Sequence, residues 1–113
     1  MIKLTGCRLS ESAFSDGNRR WEATDLVQYA KGLPVYKLPL KYLDLSIMPF
    51  TVTNVVSLAN HIKRVNETDL AYPVIVGPSG NILDGWHRVV KALLAGQEFV
   101  KAVRLTTMPP SSE

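Results

Sequence analysis

The run Val74-Ile75-Val76-Gly77-Pro78-Ser79-Gly80-Asn81-Ile82-Leu83-Asp84-Gly85-Trp86-His87-Arg88 constrains the chain more than any other stretch. Two apolar runs, Val74 to Val76 and Ile82 to Leu83, flank Gly77-Pro78-Ser79-Gly80, a composition that predicts two short strands joined by a tight hairpin-like connection. Asp84-Gly85 follows, and then a helix-forming segment with His87 and Arg88 in its first turn. The order places an acid, a glycine, an imidazole and a guanidinium at a strand-to-helix junction. The free backbone N–H groups and positive dipole end of a helix start favour an anion there, with phosphate the foremost guest.

The remaining chain reads as support for this junction. Met1 to Leu9 alternates weakly and predicts a short edge strand, and the Ser, Asp-Gly and Asn content of Ser10 to Arg20 predicts a loop. Ala23, Leu26, Val27 and Ala30 follow helical spacing ahead of the stop signal Gly32 and Pro34, so a helix is expected over Trp21 to Lys31. Tyr36 to Leu40 alternates as a strand with Pro39 at its end or on an edge, and Leu43 to Phe50 reads as an irregular apolar connection. Capped by Thr51 or Thr53, a second helix carries a stripe of Val55, Leu58, Ala59, Ile62 and Val65, with Asn54, Asn60, Lys63 and Arg64 toward water. Asn66 to Asp69 forms a polar loop. The helix from Trp86 to Ala95 is apolar almost all round, which predicts burial on several sides, with Gly96 as its C-terminal cap. Phe99 to Leu105 predicts a closing strand and Met108 to Glu113 a frayed tail.

At 113 residues the chain holds one small domain, and 46% apolar against 20% charged residues describes a folded core. The organisation expected is an N-terminal extension with one helix over 1–33, a core over 34–106 and a flexible tail over 107–113. The net charge of +3 permits phosphate or nucleic-acid binding without demanding it. A single cysteine, Cys7, excludes an internal disulfide and a multi-cysteine metal site, and with no bilayer-length apolar run or signal-peptide pattern the expectation is a cytoplasmic protein without membrane contact. No local base or basic cluster activates Cys7.

Each junction residue has a structural and a functional reading. Gly85 serves a turn, or lets a ligand approach the main chain. Arg88 either joins a salt bridge or grips phosphate oxygens two-pronged, and His87 either makes a structural hydrogen bond or shuttles a proton. Lys91 extends the positive face or merely solvates it. Trp86 packs, or stacks on a base. Asp84 caps the helix, or holds a divalent metal beside a phosphate; a bare carboxylate would repel that phosphate, so the functional reading implies Mg2+. Asp84 and His87 are thus the catalytic candidates, Gly85, Trp86, His87, Arg88 and Lys91 the ligand-binding candidates, and Asp84 the metal ligand. His61, beside Ile62 on the second helix, reads as a hydrogen-bonded or exposed histidine, and no Walker-type loop or nucleophile elbow is present.

From Pro34 to Thr106, the order of a strand, a long helix, Tyr72-Pro73-Val74-Ile75-Val76, Gly80-Asn81-Ile82-Leu83, Asp84-Gly85-Trp86-His87-Arg88, Ala92 to Gly96 and a closing strand resembles the ParB/sulfiredoxin superfamily. The resemblance implies an α+β fold, a small mixed sheet packed with about three helices. It also implies that Gly85, His87 and Arg88 bind nucleotide phosphates and that Asp84 matches the acid of the Asp-Gly-His-His-Arg motif in the free serine kinase branch. Trp86 departs from the family: sulfiredoxins need cysteine there, which excludes their chemistry. The glutamate base of the kinases has no counterpart in Leu45 to Phe50, with Asp44 the nearest carboxylate and a poor match. The partition proteins carry a downstream helix-turn-helix domain, and none is expected within these 113 residues.

The leading expectation is a stand-alone ParB-like domain that binds ATP or CTP with Mg2+ at the helix start near Trp86, with NTPase or kinase-like phosphotransferase activity left open and a homodimer among its possible assemblies. A non-enzymatic DNA-binding or regulatory module of plasmid or phage type would use Lys63, Arg64, Arg88, Lys101 and Arg104 on phosphate backbones. A catalytically degenerate protein-interaction module is the third reading.

Overall fold

A computed structural model of the protein describes residues 3–4 and 13–111. The strand expected over Met1 to Leu9 falls, but for Lys3 and Leu4, outside the described residues, as does Cys7.

Among the described residues the fold is α+β, with three α-helices, a short 3-10 turn at Leu40–Tyr42, a two-stranded sheet and a four-stranded mixed sheet. Strands β1 (Ala13–Asp16) and β2 (Arg19–Glu22) form an antiparallel hairpin where the composition of Ser10 to Arg20 predicts a loop. Gly17, at φ 60, turns the chain through a two-residue connection, the first position of which favours glycine, and Phe14 faces Trp21 across the strands with ring centroids 5.8 Å apart. Trp21 therefore belongs to β2, and helix α1 (Ala23–Ala30) starts two residues later than its periodicity suggests, burying Ala23 and Leu26.

Strand β3 (Tyr36–Pro39) lies at one edge of the larger sheet, where Pro39 removes no interior hydrogen bond, and β5 (Ile82–Asp84) lies at the other. Between them run β6 (Phe99–Arg104), antiparallel to β3, and β4 (Val74–Val76), parallel to β6 and antiparallel to β5. The strand pleat sorts the core into two layers. Val74, Val76, Ile82, Val100 and Ala102 face helix α3 (Trp86–Leu94) with its Val89 and Ala92, whereas Ile75, Leu83, Val103 and Leu105 face Trp21 and Leu26. The N-terminal helix and hairpin thus share the second core layer. Met108 packs on that layer and Trp21 Nε1 donates to the Pro109 carbonyl at 2.7 Å, so this part of the expected tail is held rather than frayed.

Helix α2 (Val55–Glu67) is capped by Asn54 rather than by Thr51 or Thr53. The Asn54 side chain accepts from the Ser57 N–H at 2.8 Å while Ser57 Oγ accepts from the Asn54 N–H at 3.1 Å, a reciprocal capping box in which Asn54 stays exposed to water, as expected. Of the expected stripe, Val65 is buried, but Val55, Leu58 and Ile62 stand in solvent. The expectation that the last helix is covered on several sides fits its first seven residues, none of which is exposed, but not its end: α3 fully buries Val89 and Ala92 against the sheet and leaves Leu93 and Leu94 exposed. Its cap is as expected. Gly96, at φ 71, closes a Schellman motif in which Gln97 N–H donates to Ala92 O and Gly96 N–H to Leu93 O, both at 3.0 Å.

Candidate functional site

The β4–β5 hairpin delivers Asp84. Gly77 N–H donates to Asn81 O at 2.8 Å and Gly80 N–H to Gly77 O at 3.0 Å, closing the turn, and the register then slips: Val76 pairs Ile82, but Ile75 pairs Asp84. Leu83 is the extra residue of a β-bulge. Strict alternation would send Asp84 to the face of Ile82, toward α3; the bulge sends it instead to the face of Ile75, toward α1.

Gly85 follows at φ 111 and precedes the first turn of α3, where no side-chain hydrogen bond caps the N-terminus. A Cβ there would lie 2.7 Å from Val74 Cγ1 and 3.1 Å from Val74 Cα, so both backbone conformation and contact with β4 require glycine. Trp86 packs against the α3-side core, the bland alternative for this residue.

His87 and Arg88 leave the helix on opposite sides. Arg88 turns to the α1 side, where Nη1 is 3.6 Å from Asp84 Oδ2 and donates to the Pro73 carbonyl at 3.4 Å, while its Nε is buried with no hydrogen-bond partner. The pair is largely buried, with side-chain exposures of 14% for Asp84 and 18% for Arg88. Burial raises the Asp84 pKa above its ordinary value, an effect that the Arg88 charge and hydrogen bond only partly counter. Both side chains line a pocket of about 480 Å3, whose walls are mostly apolar, among them Val27, Leu33, Val35 and Val103, with Lys31 and Tyr72 also contributing. Lys31 belongs to no motif, and its place in the pocket follows only from the packing of α1 on the sheet.

His87 turns to the α2 side. Its Nε2 lies 3.0 Å from His61 Nδ1, so one ring donates and the other accepts, and Phe50 stacks on both rings with centroids 4.3 Å from His87 and 4.6 Å from His61. Burial, reinforced by the positive charges of His61, Arg64 and Arg88, lowers the His87 pKa to about 4. Lys91, the fifth ligand-binding candidate, donates to Asn66 O at 3.0 Å and Thr68 O at 2.6 Å, tying α3 to the end of α2. Asp44 is exposed and accepts from the Ser46 N–H and hydroxyl, which lowers its pKa and leaves it a weak base. The structure therefore brings Asp84 and Arg88 together in one pocket and places His87, Trp86 and Lys91 elsewhere.

The His87 environment has a measurable pH signature. Unfolded, this imidazole takes up a proton near 6.5; folded, it does so only near 4, so between those values the unfolded chain binds more protons and stability falls as pH falls. Asp84 acts in the opposite sense above 3.8, because its raised folded pKa makes protonation favour the folded state. In urea melts at pH 7 and pH 5, His87→Asn should therefore lose less stability on acidification than the wild type does. The difference should be about 1 kcal/mol once solvent screening around a half-buried ring is allowed for; parallel curves for the two proteins would contradict it.

Among the described residues, no group of three or more His, Cys, Asp or Glu side chains could hold a metal ion, and no helix is long and apolar enough to cross a membrane. Of the five cations expected on a DNA-binding face, Lys63 pairs with Glu67 at 2.9 Å, Arg88 with Asp84, and Arg104 donates to Pro78 O at 2.7 Å. Comparison with protein-family models, curated proteins and solved structures gave no match.

Proposed function

We propose that this chain is a ParB-like domain that binds a nucleotide, ATP or CTP with Mg2+, in the pocket between α1 and the β5–α3 junction. The observation that carries the reading is the buried Asp84–Arg88 pair opening onto a pocket of about 480 Å3 beside an uncapped helix start. That volume falls within the range of small-molecule sites, and apolar walls with a few convergent polar groups suit a ligand with a flat apolar part and a charged end. The unpartnered Arg88 Nε fits the same picture: a buried donor without an acceptor costs about 1 to 3 kcal/mol, a burden expected where an arginine is retained for a ligand. Arg88 and Lys31 supply cationic charge to phosphates, and the helix start adds its dipole.

Asp84 is the only carboxylate lining the pocket among the described residues. One carboxylate together with phosphate oxygens is an ordinary donor set for Mg2+, so the ion would arrive with the nucleotide rather than occupy a cage of its own. The geometry favours binding over catalysis, because His87 is engaged on the α2 side with a pKa near 4 and Asp44 is tied to Ser46. A general base working at neutral pH needs a pKa closer to 7.

Calorimetric titration with the Mg2+ complexes of ATP, CTP, GTP and UTP should show saturable binding by at least one. Lys31→Ala should weaken it several-fold and Ala30→Trp, which fills the pocket, should abolish it without unfolding the chain. Failure of all four nucleotides to bind the folded protein would remove the reading.

A further inference from the structure

We propose that His61 and His87 form a site for one copper(I) ion, held in line between His61 Nδ1 and His87 Nε2. The site lies on the other side of α3 from the Asp84–Arg88 pocket and is independent of the nucleotide reading. Its basis is the way the two imidazoles meet. Their planes are within 12° of parallel and their centroids 5.2 Å apart, yet the facing nitrogens are only 3.0 Å apart. The rings therefore meet edge to edge, each turning a nitrogen toward the other, and the Phe50 ring covers both. One proton lies between the two nitrogens, because one ring donates and the other accepts.

A cation can take the place of that proton. Metal–imidazole bonds run about 2 Å, so an ion bound in line needs the nitrogens about 4 Å apart and the rings part by about 1 Å. The ring that donated carries its proton on its other nitrogen instead, so while both rings are neutral the pair takes up the ion with no net loss of protons. With its pKa lowered to about 4, His87 is neutral at pH 7 and offers a lone pair.

The surroundings select the ion. Among the described residues no group of three or more His, Cys, Asp or Glu side chains forms here, so the four-donor set of Zn2+ and the carboxylates of Mg2+ or Ca2+ are not supplied. The groove that His61 and Phe50 line adds the thioether of Met48 and no carboxylate. Imidazole nitrogen and thioether sulfur together favour copper(I), which accepts two donors in line, whereas Cu2+ takes a tetragonal set. Charge points the same way. Arg64 and Arg88 both act on His87, and a divalent ion would meet twice the repulsion that a monovalent one meets.

Anaerobic titration against the coloured copper(I)–bicinchoninate complex tests the site, in a Cys7→Ser background that removes the competing thiol. The protein should withdraw one copper(I) ion per chain, and X-ray absorption fine structure should show two imidazole donors. His61→Asn and His87→Asn should each weaken uptake by at least about a hundredfold, since each removes one of the two nitrogens and even outer-shell partners are worth about ten- to a hundredfold. Circular dichroism checks that both variants fold. Silver(I), a redox-stable ion that also binds in line, gives a reading that needs no histidine substitution: one equivalent should shift the ring nitrogen resonances of both His61 and His87. Failure to compete with bicinchoninate overturns the proposal, as does uptake that survives both substitutions, tighter binding of Zn2+ than of copper(I), or silver that shifts neither ring.

Discussion

Gly85→Ala should destabilise the protein by about 3 kcal/mol or more, enough to unfold much of a small domain. Two causes add. The residue sits at φ 111, a backbone conformation that a side chain strains, and the new Cβ would approach Val74 at 2.7 Å from Cγ1, 2.9 Å from Cβ and 3.1 Å from Cα. A flexible side-chain end could yield, but Val74 Cα belongs to an interior strand paired on both sides, so the junction itself must shift. Gly80→Ala is the natural control. Gly80 also has a positive φ, 88, but a Cβ there meets nothing within 4 Å, so that substitution should cost only about 1 kcal/mol of backbone strain. Urea unfolding of the two variants separates strain from contact, and similar midpoints would show that the approach to Val74 carries no weight.

Arg88→Ala should cost about 2 to 4 kcal/mol at pH 7, because it leaves the Asp84 carboxylate in a largely buried place without its counter-charge. The sign of the pH effect is specific. Burial already raises the Asp84 pKa and the Arg88 charge pulls it down; without Arg88 it rises further. Protonation then favours the folded variant, so its deficit relative to wild type should shrink as pH falls below the variant's Asp84 pKa toward the lower, though still raised, value of the wild type. Adding Asp84→Asn to Arg88→Ala should recover much of the loss at pH 7, since an amide tolerates the site better than an unpaired charge. Urea midpoints for the single and double variants at pH 7 and pH 5 read this out. A deficit unchanged by acid and unrelieved by Asp84→Asn would mean that Arg88 acts through packing alone.

Much of the architecture is legible along the chain because local pattern and tertiary environment agree there. The alternation of Tyr36 to Pro39, the unbroken apolar Val74 to Val76 of an interior strand and Gly96 at a helix end are signals that packing reinforces. The N-terminal hairpin is harder to see, because its strands are four residues long and Trp21, its one buried side chain, also fits the helical spacing that follows. In the junction, adjacency in sequence misleads. His87 and Arg88 are neighbours along the chain, but about 100° of helical rotation sends one to α2 and the other to α1, so a single cluster of charges becomes two separate environments. The direction of Asp84 depends on a register slip at Leu83 that no residue type announces. Lys91 likewise reads as a surface cation, and its acceptors are main-chain carbonyls that any residues would supply.

That last contact has a mechanical consequence. One ammonium group gripping the carbonyls of Asn66 and Thr68 fastens the trailing end of α2 to the middle of α3, while the His61–His87 contact fastens the two helices again about a turn earlier along each. Two rivets along a pair of rods oppose both sliding and hinging between them, so the two helices stand as one unit, with Arg88 on one side of it and the bare stripe of α2 on the other.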